Sequence, residues 1–259
     1  MILVVDIGNT SIVIGVYKGN ELTGNWRMVT RSEKTSDEYG IFILNLLKYN
    51  DIDYKNINSA IVSSVVPNVM YSFENAMKKF FNIEPIIVGP GVKTGITIMT
   101  DNPREVGADR IVGLVAAYEL YYSGDPLIVI DFGTATTYDV VSEKGEFKYG
   151  LTSPGIEISA DALWQRTAQL PKIEIKKPDS ILAKNTVTSM QAGLVYGYIG
   201  QVEYIIKKIK EEMNNENIKV VVTGGLGRII ADETSEIDIY DPLLLFKGLK
   251  LIHDKNYKK

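Results

Sequence analysis

Residues 4–22 read VVDIGNTSIVIGVYKGNEL, and residues 128–147 repeat the same pattern as IVIDFGTATTYDVVSEKGEF. The two segments align Asp6 with Asp131, an offset of 125 residues in a chain of 259. In each segment an apolar run ends at an aspartate and a glycine turn, and a second run of strand-forming residues follows. This pattern predicts two antiparallel strands joined by a tight turn. An offset near half the chain indicates a duplicated lobe, because solenoid repeats have periods of about 20 to 50 residues.

The elements predicted around the two hairpins follow the same order in both halves of the chain. Apolar runs and turn residues predict strands at residues 2–5, 12–16, 21–29, 60–65 and 85–88, then at 127–130, 137–141, 147–151 and 219–222. Helical spacing predicts helices at 36–47, 70–81, 157–170, 186–213 and 243–252, the first of them capped by Ser36. We therefore expect an α/β protein with a duplicated β-β-β-α-β-α lobe, residues 1–115 forming the first lobe and 116–259 the second.

Composition and charge narrow the function. The chain carries a formal net charge of −4, no cysteine and one histidine, His253, in the polar tail HDKNYKK. The acidic balance gives no case for a nucleic-acid partner, and no apolar run reaches the roughly 18 residues of a membrane span. A chain without cysteine has no disulfide and no thiolate nucleophile. We expect a cytoplasmic protein with neither a nucleic-acid nor a membrane partner.

The first hairpin offers a phosphate or metal site. The segment Asp6-Ile7-Gly8-Asn9-Thr10 places a carboxylate, an amide and a hydroxyl in a turn at the end of an apolar strand. Such a carboxylate can hold a hydrated divalent cation, and the turn N–H groups and the Thr10 hydroxyl can meet phosphate oxygens. On its own, a D-x-G-x-T segment more often marks a strand end closed by an Asx-turn.

The second hairpin favours a binding site over a simple turn. Its sequence is Asp131-Phe132-Gly133-Thr134-Ala135-Thr136-Thr137. Turn chemistry alone does not explain the same acidic segment at the equivalent place in both halves. Two such hairpins facing each other across a cleft could hold a polyphosphate and its cations from both sides, as phosphoryl transfer requires. The pair therefore predicts a phosphate-binding function.

A glycine turn, Thr223-Gly224-Gly225-Leu226-Gly227, follows the apolar strand Val220–Val222. Glycines between a strand and a helix allow the backbone to approach a ligand closely, and here the ligand would be adenosine. A structural role explains the turn equally well. The turn matches neither the P-loop, because no Lys-Ser or Lys-Thr follows, nor the dinucleotide fingerprint G-x-G-x-x-G.

Together, the two acidic hairpins and the glycine turn resemble the phosphate-1, phosphate-2 and adenosine motifs of the actin and hexokinase superfamily. The resemblance implies two ribonuclease-H-like lobes of the actin-like ATPase kind, with a cleft between them. Four further segments resemble the signature of the type III pantothenate kinases. They are Asp101–Arg110 (DNPREVGADR), Ser153–Gly155 (SPG), Arg166–Pro171 (RTAQLP) and Lys184–Gly193 (KNTVTSMQAG).

That resemblance implies an ATP-dependent kinase that phosphorylates the primary hydroxyl of pantothenate, giving 4′-phosphopantothenate in the first step of coenzyme A biosynthesis. Without a cysteine or a usable histidine, the proton acceptor for the hydroxyl would be a carboxylate. The family pattern assigns this role to Asp109, with Arg110 as a fork-shaped donor to the pantothenate carboxylate. Alternatively, Asp109 is an acidic residue at a helix N-terminus and Arg110 is its local ion-pair partner.

The resemblance also implies the cofactors and the remaining contacts. Magnesium would arrive with ATP and face Asp6, and Asp131 would hold a monovalent cation, potassium or ammonium. Pantothenate would contact Thr100, Gly107, Ala108, Asp109, Arg110 and Thr186. ATP would contact Asp6, Ile7, Gly8, Asn9, Thr10, Ser11, Ile12, Val13 and Thr134. Thr186 could also cap the helix that begins there.

Two positions depart from the family pattern, and the long helix bears on assembly. Thr100 stands where the family often has tyrosine, and Ala183 stands where a glycine is usual. The helix predicted at 186–213 is longer than a monomer of this size usually buries, so its small and aromatic residues suggest a homodimer interface, as in the dimeric family. Trp26 and Trp164 are expected to be packed aromatic residues.

Two other functions fit parts of the pattern. Another small-molecule kinase of the superfamily would share the fold, because fold alone does not set the acceptor, and the GADR segment at 107–110 argues against it. A regulatory protein that keeps the scaffold without catalysis is the second alternative. Intact Asp6, Asp109 and Asp131 argue against such a loss.

Overall fold

The computed structural model describes residues 1–257 and contains two sheets flanked by helices. The strands are β1 (Ile2–Ile7), β2 (Ser11–Lys18), β3 (Glu21–Val29), β4 (Ser59–Ser64), β5 (Ile86–Ile87), β6 (Thr97–Ile98), β7 (Leu127–Phe132), β8 (Ala135–Val141), β9 (Glu146–Pro154), β10 (Lys219–Thr223) and β11 (Ile239–Tyr240). The helices are α1 (Ser36–Tyr49), α2 (Pro67–Ala76), α3 (Ala108–Tyr121), α4 (Ile156–Arg166), α5 (Thr186–Met213), α6 (Gly227–Ala231) and α7 (Leu244–Asn256). No helix in this described part of the chain is long and apolar enough to cross a membrane.

The elements form two compact units. Unit 1 comprises Met1–Ile96, Asp101–Ala116 and the segment from Leu244 onward, and unit 2 comprises Thr97–Thr100 and Ala117–Leu243. After the short excursion into unit 2 at residues 97–100, the chain leaves unit 1 within α3, close to the predicted division at residue 115, and returns to it at α7. A single division of the chain near residue 115 does not reproduce the two units, because α7 packs against β1 and β4 of the first sheet.

The sheet of unit 1 has the strand order β3-β2-β1-β4-β5. β1 pairs antiparallel with β2 and parallel with β4, so Asp6 lies opposite Val13 on one side and Ser63 on the other. Both faces of the central strands are apolar, because α1 and α2 cover one face and α7 covers the other. Trp26 packs against this core, as predicted.

The sheet of unit 2 repeats this order as β9-β8-β7-β10-β11, with the two-residue strand β6 added beside β9. β7 pairs antiparallel with β8 and parallel with β10, so Asp131 lies opposite Thr137 and Thr223. β7 therefore takes the place of β1, and β10 the place of β4. The duplicated α/β lobe predicted from the sequence is confirmed.

The duplication extends to a β-bulge but not to the hairpin tips. The pairing of β2 with β3 shifts at Val16/Tyr17, and that of β8 with β9 shifts at Val140/Val141. The first hairpin turns over residues 8–11, whereas the second turns over residues 133–135. The second tip is one residue shorter, so the two phosphate-binding turns predicted from the sequence have different backbone shapes.

Several helix ends differ from the predicted bounds, and hydrogen bonds explain two of the differences. The N-cap of α1 is Thr35 and not Ser36, because Thr35 Oγ1 accepts from the Glu38 N–H at 3.3 Å and Glu38 Oε2 accepts from the Thr35 N–H at 2.8 Å. This reciprocal pair is a capping box, which requires the glutamate three residues after the cap. α4 ends at Arg166 and not at residue 170. Just after this end, the Thr167 hydroxyl donates to Leu163 O at 2.7 Å.

Two side chains lie in surroundings that differ from the prediction. His253 was predicted to lie in a polar tail, but it is 2% exposed on α7, with Nε2 2.9 Å from Ser59 Oγ and Nδ1 3.2 Å from Asp254 Oδ1. It is buried because α7 continues past it and packs on β4. Trp164 was predicted to be packed, but it is 42% exposed on α4, with the Lys172 ammonium group over its ring.

Candidate active site

The turn between β1 and β2 is held in place from β3. Gly8 N–H donates to Ser11 O at 3.0 Å within the turn. Thr30, just after β3, donates from Oγ1 to Gly8 O at 2.6 Å and from its N–H to Thr10 O at 3.0 Å. Asp6, at the base of this turn, is buried. A carboxylate beside a fixed turn is suited to a hydrated cation, and the turn N–H groups are suited to phosphate oxygens.

The segment before α3 lies next to that turn. Val65, just after β4, donates its N–H to Ile7 O at 3.1 Å. A Cβ built on Gly107 would lie 3.4 Å from the Val65 side chain. Val65 therefore links the end of β1 to the start of α3. Within unit 1, the structure brings the Asp6 turn and the predicted substrate segment 107–110 to the same end of the sheet.

Asp109 lies in the first turn of α3, where its Oδ1 accepts a hydrogen bond from the Arg110 N–H at 2.7 Å. Burial raises the pKa of the Asp109 carboxyl above its ordinary value, and the Arg110 N–H and guanidinium oppose that rise. A carboxylate with a raised pKa is a stronger proton acceptor, as a general base for an alcohol needs to be. The position at a helix N-terminus is the one that the alternative interpretation expected, but an exposed helix-end carboxylate would not show this rise.

The Asp109 carboxylate occupies space that a side chain at position 107 would fill. A Cβ at this position would lie 2.5 Å from Asp109 Oδ1, closer than non-bonded atoms approach. Any larger residue would therefore displace the carboxylate or the backbone around it. The absence of a side chain at Gly107 thus leaves space for the Asp109 carboxylate, the proposed proton acceptor.

The turn between β7 and β8 packs directly against the start of α4. Gly133 N–H donates to Ala135 O at 3.1 Å, and Gly155 N–H donates to Thr134 O at 3.2 Å. A Cβ on Gly155 would lie 2.3 Å from Thr134 O, so only glycine permits this approach. The SPG segment thus supports the second turn, which is preceded by the half-buried Asp131.

The glycine turn after β10 lies against the end of β7. Gly224 has φ of +96°, and a Cβ there would lie 2.5 Å from Phe132 O. Tyr240 holds the turn by donating its hydroxyl to Gly224 O at 3.1 Å. Unit 2 therefore brings together the Asp131 hairpin, the SPG segment and the glycine turn, which are widely separated in the sequence.

Each motif aspartate has a buried hydroxyl residue beside it on the neighbouring parallel strand. Ser63 lies opposite Asp6, and Thr223 lies opposite Asp131; both hydroxyl residues are buried. The sequence analysis missed Ser63 as a neighbour of Asp6, because the register of a parallel pair is set by the fold and not by adjacent residues. A hydroxyl near the end of the equivalent strand in each half is the signal that could have indicated it.

The remaining predicted substrate contacts belong to unit 2. Thr100 follows β6, and its buried Oγ1 has no hydrogen-bond partner within residues 1–257. Thr186 is exposed and is the first residue of α5. The N-cap of that helix is Asn185, whose Oδ1 accepts from the Thr188 N–H at 3.0 Å. Thr186 is therefore not the cap, which was one of its two predicted roles.

Among residues 1–257, no three histidine, cysteine, aspartate or glutamate side chains gather as a metal-binding group. A cation at Asp6 or Asp131 would complete its shell with phosphate oxygens, backbone carbonyls and water, which are common ligands of hard cations.

Comparisons with known proteins agree with the motifs. A family model described as type III pantothenate kinase matches residues 2–208. A curated type III pantothenate kinase from Agathobacter rectalis is 58% identical over 259 residues, covering 100% of this chain and 99% of the relative.

Solved structures agree with the fold. A protein from Sinorhizobium meliloti assigned as a 2-dehydro-3-deoxygalactonokinase superposes with a TM-score of 0.68 at 10% identity, covering 100% of this chain and 98% of its own. Component A of the (R)-2-hydroxyglutaryl-CoA dehydratase of Acidaminococcus fermentans gives a TM-score of 0.52 at 12% identity, covering 96% and 94%. At these identities the two structures speak for the fold alone.

Proposed function

We propose roles for the site residues from one premise: the chain belongs to the type III pantothenate kinase family and transfers the γ-phosphoryl group of ATP to pantothenate. The product is 4′-phosphopantothenate, and the reaction is the first step of coenzyme A biosynthesis. The main support for this premise is the 58% identity to a curated type III pantothenate kinase over the full chain. ATP and a divalent metal follow from the reaction class, since such a metal would neutralise the charge of the phosphates when bound.

The turn after β1 is assigned to the ATP phosphates. Its backbone conformation is fixed by the Gly8–Ser11 and Thr30 hydrogen bonds, so its N–H groups need no rearrangement when phosphate binds. Asp6 would face the magnesium ion that ATP brings, and residues 6–13 would line the phosphates. Thr134, in the equivalent turn of unit 2, is assigned to ATP as well.

Asp109 is assigned as the base that orients the pantothenate hydroxyl and accepts its proton. Its half-buried position, its raised pKa and its place beside the β1 turn through Val65 and Gly107 support this role. Arg110 follows it in α3 and would bind the pantothenate carboxylate through its planar guanidinium. Thr100 and Thr186 are the further substrate contacts, and the unpartnered Thr100 hydroxyl has a free donor and acceptor to offer.

Asp131 is assigned to a monovalent cation, potassium or ammonium. We expect native activity in potassium chloride and much lower activity in tetramethylammonium chloride at the same ionic strength. Asp131→Asn should raise the potassium concentration for half-maximal rate by about tenfold, because it removes the charge that holds the ion. The exposed Asp179→Asn is the matched control. Equal rates of the native protein in the two salts would remove the cation from the assignment.

The homodimer predicted from the length and composition of α5 stays a proposal, and we place its interface on exposed apolar side chains of unit 2 outside α5. Apolar side chains are exposed on β9 and α4, namely Tyr149, Leu151, Ile158, Leu163 and Trp164. Large apolar side chains that stay exposed are typical of protein interfaces when they lie together, and a second copy would offer the same elements about a two-fold axis. Light scattering should give the mass of two chains for the native protein and for Tyr71→Asp, an exposed tyrosine of unit 1. Trp164→Asp should shift the mass toward one chain, and an unchanged mass would exclude this face.

A further inference from the structure

The hydroxyl of Tyr198, on α5, lies between two hydrogen-bond partners. It is 2.8 Å from Pro154 O and 2.7 Å from Ser159 Oγ. A carbonyl oxygen can only accept, so the Tyr198 O–H donates to Pro154 O, and the Ser159 hydroxyl donates to the Tyr198 oxygen. Tyr198 is 8% exposed and its ring packs in the core of unit 2. Its hydroxyl is therefore held where it can fix the Pro154 carbonyl.

The Pro154 carbonyl and the Gly155 N–H belong to one planar peptide group. The carbonyl end accepts from Tyr198 at 2.8 Å, and the N–H end donates to Thr134 O at 3.2 Å. Rotation of this plane would break both hydrogen bonds together. Tyr198 and the Thr134 turn are thus bonded to opposite ends of a single rigid group.

This peptide packs tightly against the Thr134 turn. The Cβ position of Gly155 lies 2.3 Å from Thr134 O and 2.6 Å from Gly133 O. Ser159 is fixed on the other side, because its N–H donates to Gly155 O at 3.0 Å in the first turn of α4. A small rotation of the peptide would therefore displace the backbone of the turn.

We propose that Tyr198, assisted by Ser159, is a positioning residue for nucleotide binding. Its hydroxyl orients the Pro154–Gly155 peptide, and this peptide fixes the backbone of the Thr134 turn that receives ATP. The inference rests on the proposed role of Thr134 in ATP binding. It gives the long helix α5 a function in the nucleotide site, beyond its packing in the core of unit 2.

The test is Tyr198→Phe, which keeps the buried ring and removes only the hydroxyl. Loss of one hydrogen bond of ordinary net strength corresponds to about a fivefold weaker interaction. We expect the dissociation constant of a non-hydrolysable ATP analogue with magnesium, measured by calorimetry, to rise by about that factor. The KM for ATP should rise in parallel, while the KM for pantothenate stays at its native value. Tyr204→Phe, an exposed tyrosine on the same helix, is the matched control.

Ser159→Ala adds a second, independent reading. It should weaken analogue binding in the same direction but less, and the double variant should match Tyr198→Phe, because both act through one hydrogen-bonded pair. Unchanged analogue affinity in Tyr198→Phe would overturn the proposal. Equal increases in both KM values would also overturn it, since an effect on both substrates marks a general change in the site and not one confined to the Thr134 turn.

Thr134→Ala separates this inference from the assignment on which it rests. If Thr134→Ala weakens analogue binding and Tyr198→Phe does not, the ATP role of Thr134 stands and the positioning role of Tyr198 fails. If neither variant changes the affinity, both fail. If only Tyr198→Phe weakens binding, the Thr134 side chain is removed from the assignment and the positioning of the turn backbone by Tyr198 stands. Weaker binding in both variants supports both.

Discussion

At the scale of single residues, the site depends on groups that are small or buried. The order of residues shows Asp6 and Asp131 as candidates, because each carboxylate stands beside a glycine turn, and the family resemblance adds Asp109. It does not predict that burial raises the pKa of Asp109, that Thr30 fixes Gly8 O, or that Tyr198 holds Pro154 O. Those facts join residues far apart in the chain, and only the packing of strands and helices determines them.

Gly107 gives a prediction at this scale. Gly107→Ala places a Cβ 2.5 Å from Asp109 Oδ1, so the carboxylate must move. Displacement of a catalytic group by about 1 Å costs on the order of 100-fold in rate, and we expect kcat to fall by about 10- to 100-fold. Gly193→Ala, where an added Cβ meets nothing within 4 Å, is the control and should retain native kcat. Native kcat in Gly107→Ala would show that Asp109 is not held as described.

At the scale of elements, the prediction succeeds where periodicity is long. The bounds of α5, Thr186–Met213, are those predicted, because 28 residues of helical spacing leave little ambiguity. β6 and β11 were missed because each is two residues long and forms only by pairing with a neighbouring strand. α3 was not predicted as a helix. Its run Ile111–Ala117 is almost wholly apolar and buried, so it shows no polar face from which a helical period can be recognised.

The glycine turn after β10 gives a prediction at this scale. Gly224 has φ of +96°, and a Cβ would meet Phe132 O at 2.5 Å, so Gly224→Ala carries both backbone strain and a clash. Residues forced into such conformations cost about 1–3 kcal/mol each. We expect a loss of at least that order in unfolding free energy, together with weaker ATP binding, by urea denaturation and calorimetry.

Gly89→Ala is the control for that measurement, because Gly89 has no positive φ and an added Cβ there meets nothing within 4 Å. Native stability and native ATP affinity in Gly224→Ala would mean that the turn does not need its close approach to β7.

At the scale of the whole molecule, the two halves of the chain repeat one lobe and differ in detail. The strand order, the bulge and the aspartate positions repeat, whereas the hairpin tips differ by one residue. The sequence offset of 125 residues indicated the duplication directly. It did not indicate that α7 packs on β1 and β4 of unit 1, because helix docking depends on tertiary contacts.

The docking of α7 carries a pH prediction. Burial lowers the pKa of His253, Lys250 acts in the same direction, and Asp254 opposes it; the ring bonds to Ser59 at 2.9 Å. The unfolded chain, whose histidine titrates near ~6.5, therefore binds the proton more readily than the folded one. The stability from neutral His253 is complete above that pH and is lost as pH falls below it.

The size of this effect is about 1.4 kcal/mol for each unit by which the pKa is lowered. The measurement is the unfolding free energy at pH 7.5 and pH 5.5 for the native protein and for His253→Gln, which does not titrate. The native protein should lose more stability between the two pH values than the variant does. An equal loss would assign the pH dependence to other groups.

The most direct test is ATP-dependent phosphorylation of pantothenate by the native protein and by Asp109→Asn, with magnesium and potassium present. Asn keeps the size of the side chain and an oxygen for the Arg110 N–H but cannot accept the proton, so kcat/KM should fall by about 10²- to 10⁴-fold. Asp101→Asn, an exposed aspartate of the same motif, should retain native activity. Activity of Asp109→Asn within about threefold of native would remove Asp109 as the base, and no pantothenate phosphorylation by the native protein would contradict the assigned reaction.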